Sequence, residues 1–187
     1  MLIIFFLNFT VLKRILNNFN IMKKLFLILL FYVPFIGISQ SWNLVSPFPG
    51  DGRHHPITFG NDDYGFVLSG SYLDDVYKYD KSNNTWTQLQ DIPFAGRGYS
   101  YGVSHNEKAY MGLGSDLNGY PNDWWEYDMT NDSWVQKASF PYSGRNHPAM
   151  VVVGDKIYMG CGSNSNGNLG DWWEYDITND SWTQKSD

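Results

Sequence analysis

Short apolar runs alternate with clusters of Gly, Asn, Asp and Ser along most of the chain, and the alternation repeats. Trp86, Trp134 and Trp182 stand 48 residues apart, as do Tyr79, Tyr127 and Tyr175. A period of this length marks a stack of small supersecondary units. In the third copy the pattern predicts four strands over Ala149–Val153, Lys156–Gly160, Trp172–Asp176 and Ser181–Lys185. Gly154-Asp155 joins the first two as a tight hairpin. Asp176-Ile177-Thr178-Asn179-Asp180 turns the third into the fourth, with Asn and Asp side chains bonding their own backbone. A single four-stranded sheet cannot bury both apolar faces, so neighbouring copies must stack on it.

The wording of the copies narrows the architecture. Each opens on an Arg after a turn (Arg53, Arg97, Arg145), followed by an apolar strand. A second strand ends in glycines: Phe66-Val67-Leu68-Ser69-Gly70, Tyr110-Met111-Gly112-Leu113-Gly114 and Tyr158-Met159-Gly160-Cys161-Gly162. Then comes Asp-Trp-Trp-Glu-Tyr-Asp, a turn and Trp in the second and third copies, and a more diverged Val76-Tyr77-Lys78-Tyr79-Asp80 to Trp86 in the first. This order resembles the Kelch family, with the glycine pair reduced to Gly70 in the first copy. The Asp-box turn of sialidase propellers is a weaker match, because the Gly expected before its close is missing. The resemblance implies an all-β fold, a partial Kelch-type β-propeller of about three four-stranded blades at 53–94, 97–141 and 145–187. It implies a closing strand over 42–49 as well, since Trp42-Asn43-Leu44-Val45-Ser46-Pro47-Phe48-Pro49 repeats the wording of Trp134 to Pro141. Such a strand belongs to a blade outside the three, so the expectation is a fragment of a longer propeller. The alternative is self-association of two copies to complete a ring.

The N-terminus changes which residues count towards the fold. Met22-Lys23-Lys24, an apolar run from Leu25 and the small residues Gly37-Ile38-Ser39 read as a signal peptide over 22–39, preceded by an upstream extension over 1–21. The run is too short for a membrane span and contains Pro34. Secretion, or a periplasmic or cell-surface location in a bacterium, is therefore expected, with no membrane contact after cleavage. Four of the thirteen basic residues and none of the acidic ones precede residue 40, so the remainder sets nine cations against nineteen anions. That acidity argues against nucleic-acid partners. A single cysteine, Cys161, rules out an internal disulfide and is expected to be a small buried filler in its glycine turn.

The family resemblance places ligands at the mouth of the ring, where turns lead into each blade. The candidates there are Arg53, His54, Arg97, Tyr99, Arg145, Asn146 and His147, as a surface for a protein or glycan ligand. Three arginines offer planar forks to a carboxylate, or else they tie the blades together. His54 and His55 would face opposite sides of an extended segment, so no metal and no other cofactor is expected. The resemblance to galactose oxidase would imply copper only with its ligands present. Glu126, Asp128, Glu174 and Asp176 recur in every copy of their motif and are expected to serve turns and backbone rather than acid–base chemistry. The predicted role is a non-catalytic secreted binding module; the alternative is part of a carbohydrate-active enzyme of the N-acetylneuraminate mutarotase or galactose-oxidase-like type.

Overall fold

The computed structural model describes Arg14, Asn17, Asn18 and residues 42–186. Residues Met1–Leu44 form one unit and Val45–Asp187 another. In the first, Arg14, Asn17 and Asn18 are helical and exposed, while the expected signal peptide over 22–39 lies outside the described residues. Among the described residues no helix is long and apolar enough to cross a membrane.

The second unit is built from three four-stranded antiparallel sheets. Blade 1 runs β1 (Ile57–Gly60), β2 (Tyr64–Leu68), β3 (Val76–Asp80) and β4 (Thr85–Gln88). Blade 2 runs β5 (Tyr101–His105), β6 (Lys108–Gly112), β7 (Trp124–Asp128) and β8 (Ser133–Lys137). Blade 3 opens with β9 (Ala149–Val153) and β10 (Lys156–Gly160). A small hairpin, β11 (Ser163–Asn164) with β12 (Gly167–Asn168), precedes β13 (Trp172–Asp176) and β14 (Ser181–Ser186). The predicted four strands of the third copy are all present, and β14 is one residue longer than expected. First strands neighbour one another, β1 beside β5 and β5 beside β9, which stacks the blades around a common inner edge.

Each sheet alternates its side chains between the two neighbours, and the interfaces are the core. Between blades 1 and 2, Ile57, Phe66, Leu68 and Val76 meet Ala109, Met111 and Tyr127. Between blades 2 and 3, Tyr110 and Trp124 meet Ile157 and Tyr175, and Leu113 meets Phe140, Met159 and Trp173. A phenylalanine from each inter-blade link then wedges against two rings of the following blade. Phe94 lies 5.2 Å from Trp125 and 5.5 Å from Trp134, and Phe140 lies 5.1 Å from Trp173 and 5.3 Å from Trp182.

The glycine turns explain why the first copy departs from the pattern. Gly70, Gly114 and Gly162 all have φ of 80–86°, and a Cβ on any of them would strike the backbone of the lead-in turn. All three copies therefore keep this glycine. The preceding glycine is different, because Gly112 and Gly160 lie opposite Trp124 and Trp172, whereas blade 1 pairs Leu68 with Val76. Small opposite large becomes medium opposite medium, and the space is filled either way.

Residues 42–49 form no strand. From Ser46 onward the segment instead docks through single contacts: Ser46 N donates to Asn84 Oδ1 at 2.8 Å, and Trp86 Nε1 donates to Ser46 O at 3.1 Å. Phe48 wedges against Tyr77 and Trp86. Ala138 N and O make the same pair of bonds to Asp180 and Trp182 in blade 3. The repeat register is thus kept although the ladder is not.

Candidate functional site

The turns leading into β1, β5 and β9 meet the loops that follow β2, β6 and β10. Gly70 N donates to Arg97 O at 2.8 Å, and Gly114 N donates to Arg145 O at 2.9 Å, so each blade's loop holds the next blade's turn. Arg97 then reaches back into its own blade. Its Nη1 and Nη2 bond the two oxygens of Asp123, just before β7, at 2.6 and 2.8 Å, and Nη1 also donates to Leu113 O. Arg145 does the same with Asp171 and Cys161 O, and Arg53 with Asp75 and Ser69 O. The guanidinium of Arg97 lies 4.4 Å from the centre of Phe94, that of Arg145 5.0 Å from Phe140, and that of Arg53 5.0 Å from Phe48. Trp125 and Trp173 add indole N–H bonds to Asp123 and Asp171.

Arg97 and Arg145 are 1% and 2% exposed, and their forks are filled by carboxylates of the same chain. Burial pushes the Asp123 carboxyl up, but the bonds from Arg97 and Trp125 outweigh it and hold it below the ordinary range. Asp171 is held down first by its Arg145 bond. Each Arg thus links its own Asp, a loop carbonyl and the wedge phenylalanine of the preceding link.

Two residues after each Arg the chain turns left-handed. His55, Tyr99 and His147 have φ of 51°, 61° and 53°. None is glycine, so each carries a conformational cost of about 1–2 kcal/mol that the surrounding bonds must hold. The result is a triangle of rings: His55 to Tyr99 is 4.3 Å between centres, Tyr99 to His147 5.0 Å and His55 to His147 5.2 Å. His147 N donates to Tyr99 O at 2.9 Å, which fixes one corner on the next. Tyr101 Oη and His147 Nδ1 are 3.2 Å apart.

The left-handed turn also overturns the expectation that His54 and His55 face apart. The segment is not extended, and their Nδ1 atoms lie 2.9 Å from each other. Loss of water around its ring, then the neighbouring His147 and His54, hold the His55 imidazole below its usual 6.5. Among the described residues no group of three or more His, Cys, Asp or Glu is arranged to hold a metal ion. Asn146 pairs its backbone with Ser163, while its buried Oδ1 has no protein partner. A groove of about 470 Å³ runs from His147 along Tyr101, Val103, Met150 and Val151.

A larger depression, about 590 Å³, lies at the other end of the β5–β6 hairpin beside His105, Lys108, Glu126 and Asp128. Its carboxylates are occupied. Glu126 takes bonds from Lys108 and Tyr110 Oη, and Asp128 caps its own turn through Thr130 N and Asn131 N. The Asn131 bonds lower Asp128 to about 2, and Tyr158 with Lys185 holds Glu174 down as well. Cys161, expected to be buried, is exposed. Its counterparts Ser69 and Leu113 are fully buried because a following blade covers them.

Sequence reasoning did not find Asp75, Asp123 and Asp171 as the partners of the arginines. Their recurrence at the repeat spacing was the available signal. The structure brings Tyr99, His147 and His54 together, with His55 among them, and sets Arg53, Arg97 and Arg145 into the scaffold beneath.

The chain matches the KLHDC2/KLHL20/DRC7 Kelch-repeats domain over residues 52–187. It is 32% identical over 89 residues to N-acetylneuraminate epimerase of Haemophilus influenzae strain PittEE, and equally to that of strain 86-028NP. The match covers 43% of this chain and 24% of each relative, so it spans about a quarter of their length. The solved structure of YjhT superposes with a TM-score of 0.69 at 21% identity, covering 78% of this chain and 55% of that one. With its three four-stranded blades and the domain match across nearly all of them, this chain belongs to the Kelch-repeat family.

Proposed function

We propose that the chain is an exported Kelch-repeat recognition module that binds glycan at the mouth formed by its lead-in turns. The observation that carries this reading is the ring triangle of His55, Tyr99 and His147, with exposed His54 at its edge. Aromatic and imidazole faces suit the C–H face of a pyranose, and imidazole nitrogens and the hydroxyl of the partly exposed Tyr101 suit its hydroxyls. The arginines carry no ligand role in it, because each fork is already filled. Export rests on the leader-like wording of residues 22–39. Titration of the whole chain against a glycan array tests the reading. Binding should appear, and His147→Ala should weaken it about tenfold or more with an unchanged circular dichroism spectrum. A flat array overturns it in favour of a protein ligand.

The similarity to N-acetylneuraminate epimerase supports a second reading, a carbohydrate-active enzyme acting at the same mouth. Against it, the carboxylates that face the lead-in arginines, Asp123 and Asp171, are already bound by Arg97 with Trp125 and by Arg145 with Trp173. Interconversion of N-acetylneuraminate anomers followed by NMR, and lost in His147→Ala, would establish this reading in place of binding alone.

A further inference from the structure

The loop after β2 runs left-handed for longer than its counterparts. Ser69, Gly70, Ser71 and Tyr72 all have positive φ, at 53°, 80°, 48° and 64°. After β6 and β10 the run stops at two residues, Leu113-Gly114 and Cys161-Gly162. Leu73 N donates to Gly70 O at 2.9 Å and closes a turn with Ser71 and Tyr72 at its centre, where two left-handed residues favour Asn-Gly. Ser71 is compensated, because its N donates to His54 O and its Oγ accepts from His54 N, both at 3.1 Å. The Tyr72 side chain has no hydrogen bond and no ring contact among the described residues, and Tyr72 is 42% exposed.

That exposure belongs to the position. Tyr72 stands three residues before Asp75, which takes the Arg53 fork, and Tyr120 stands three before Asp123, which takes that of Arg97. Each lies against the lead-in turn of the blade that follows. A Cβ on Gly96 would meet Tyr72 O and Leu73 O, and one on Gly144 would meet Tyr120 O and Pro121 O. Blade 2 has a blade on both sides, yet Tyr120 is still 36% exposed, its side chain likewise without a partner among the described residues. Two tyrosines at one repeat position thus stand exposed beside the turns that form the mouth. Through the Ser71–His54 bonds, the Tyr72 Cα lies within about 10 Å of the His54 Cα.

We propose that Tyr72 and Tyr120 are stacking platforms for sugar units outside the ring triangle, so that the mouth takes a glycan chain of at least two units rather than a single sugar. The proposal rests on the glycan reading and narrows its ligand. A phenol presents a broad apolar face with a hydroxyl at its edge, which suits a pyranose as the triangle does. Backbone held at a conformational cost collects at ligand-contact positions, and at Tyr72 no side-chain bond within the chain offsets that cost. Tyr72 sits between the turn that carries His54 and His55 and the turn that leads to Tyr99, beside two corners of the triangle.

The test is a titration of the whole chain against an array of gluco-, manno-, galacto- and N-acetylhexosamine chains of one to four units. At least one series should tighten about tenfold or more between one unit and three. Tyr72→Ala and Tyr120→Ala should each lower the affinity for three units about fivefold, and more than they lower it for one, whereas Tyr72→Phe should keep the gain. Equal affinity for one unit and three, or equal losses for both in the Ala variants, overturns the proposal and leaves the glycan reading standing. A flat array overturns both. A second measurement needs no ligand: Tyr72→Gly relieves the left-handed position and should raise the thermal midpoint by about 2 °C. A midpoint at or below that of the wild type means that the fold itself uses the ring, and overturns the proposal.

Discussion

Removing one partner of the Arg97–Asp123 pair leaves the other charge in a place that water barely reaches. The Arg97 side chain is 1% exposed and Asp123 is 19% exposed. Truncating a buried pair on one side typically costs about 3–5 kcal/mol, far more than the pair contributes relative to an apolar substitute. Asp123→Ala is expected to destabilise by that amount in denaturant titration, because it also strands the Trp125 indole N–H. Arg97→Met with Asp123→Leu should recover part of the loss, since no charge is left unpaired and the methionine stem can keep its place against Phe94, while the Trp125 N–H stays without its acceptor. If the double variant is no better than the single one, the pair is more than a structural tie.

The strand wording was legible because each element carries its own signal. Aromatic runs, Asn–Asp turns and terminal glycines recur at fixed spacing, and β9, β10, β13 and β14 lie where that spacing predicts. The segment 42–49 has the same wording but no ladder, because an outer strand needs a sheet beside it, and periodicity does not report that neighbour. The mouth was legible only in part. Left-handed backbone is usually announced by glycine, and His55, Tyr99 and His147 give no such notice, so the convergence of their rings was hidden. At this scale the glycine opposite Trp124 makes the sharpest prediction. Gly112→Leu should cost about 1–3 kcal/mol through overpacking. A Cβ there meets both the Trp124 ring and the Asp123 carbonyl. Adding Trp124→Val, to copy the Leu68–Val76 pair of blade 1, should return part of the loss in thermal unfolding: the ring moves away and the carbonyl does not.

In a stack of blades, stability is a sum of blade terms and nearest-neighbour interface terms. Blade 2 has a neighbour on both sides, whereas blades 1 and 3 each have one among the described residues. Native-state hydrogen exchange should therefore find β6 and β7 slowest, with β14 opening first. Equal protection across the three blades would mean that they unfold as one unit. The mouth inherits a freedom from this construction. Arg53, Arg97 and Arg145 fix the backbone from below, and the residue two places on adopts nearly the same left-handed angle whether it is His, Tyr or His again. Geometry there is set by the scaffold and chemistry by the side chain alone. Each blade thus offers one interchangeable position at the rim, and new specificities can be written there one residue at a time without revising the sheets beneath.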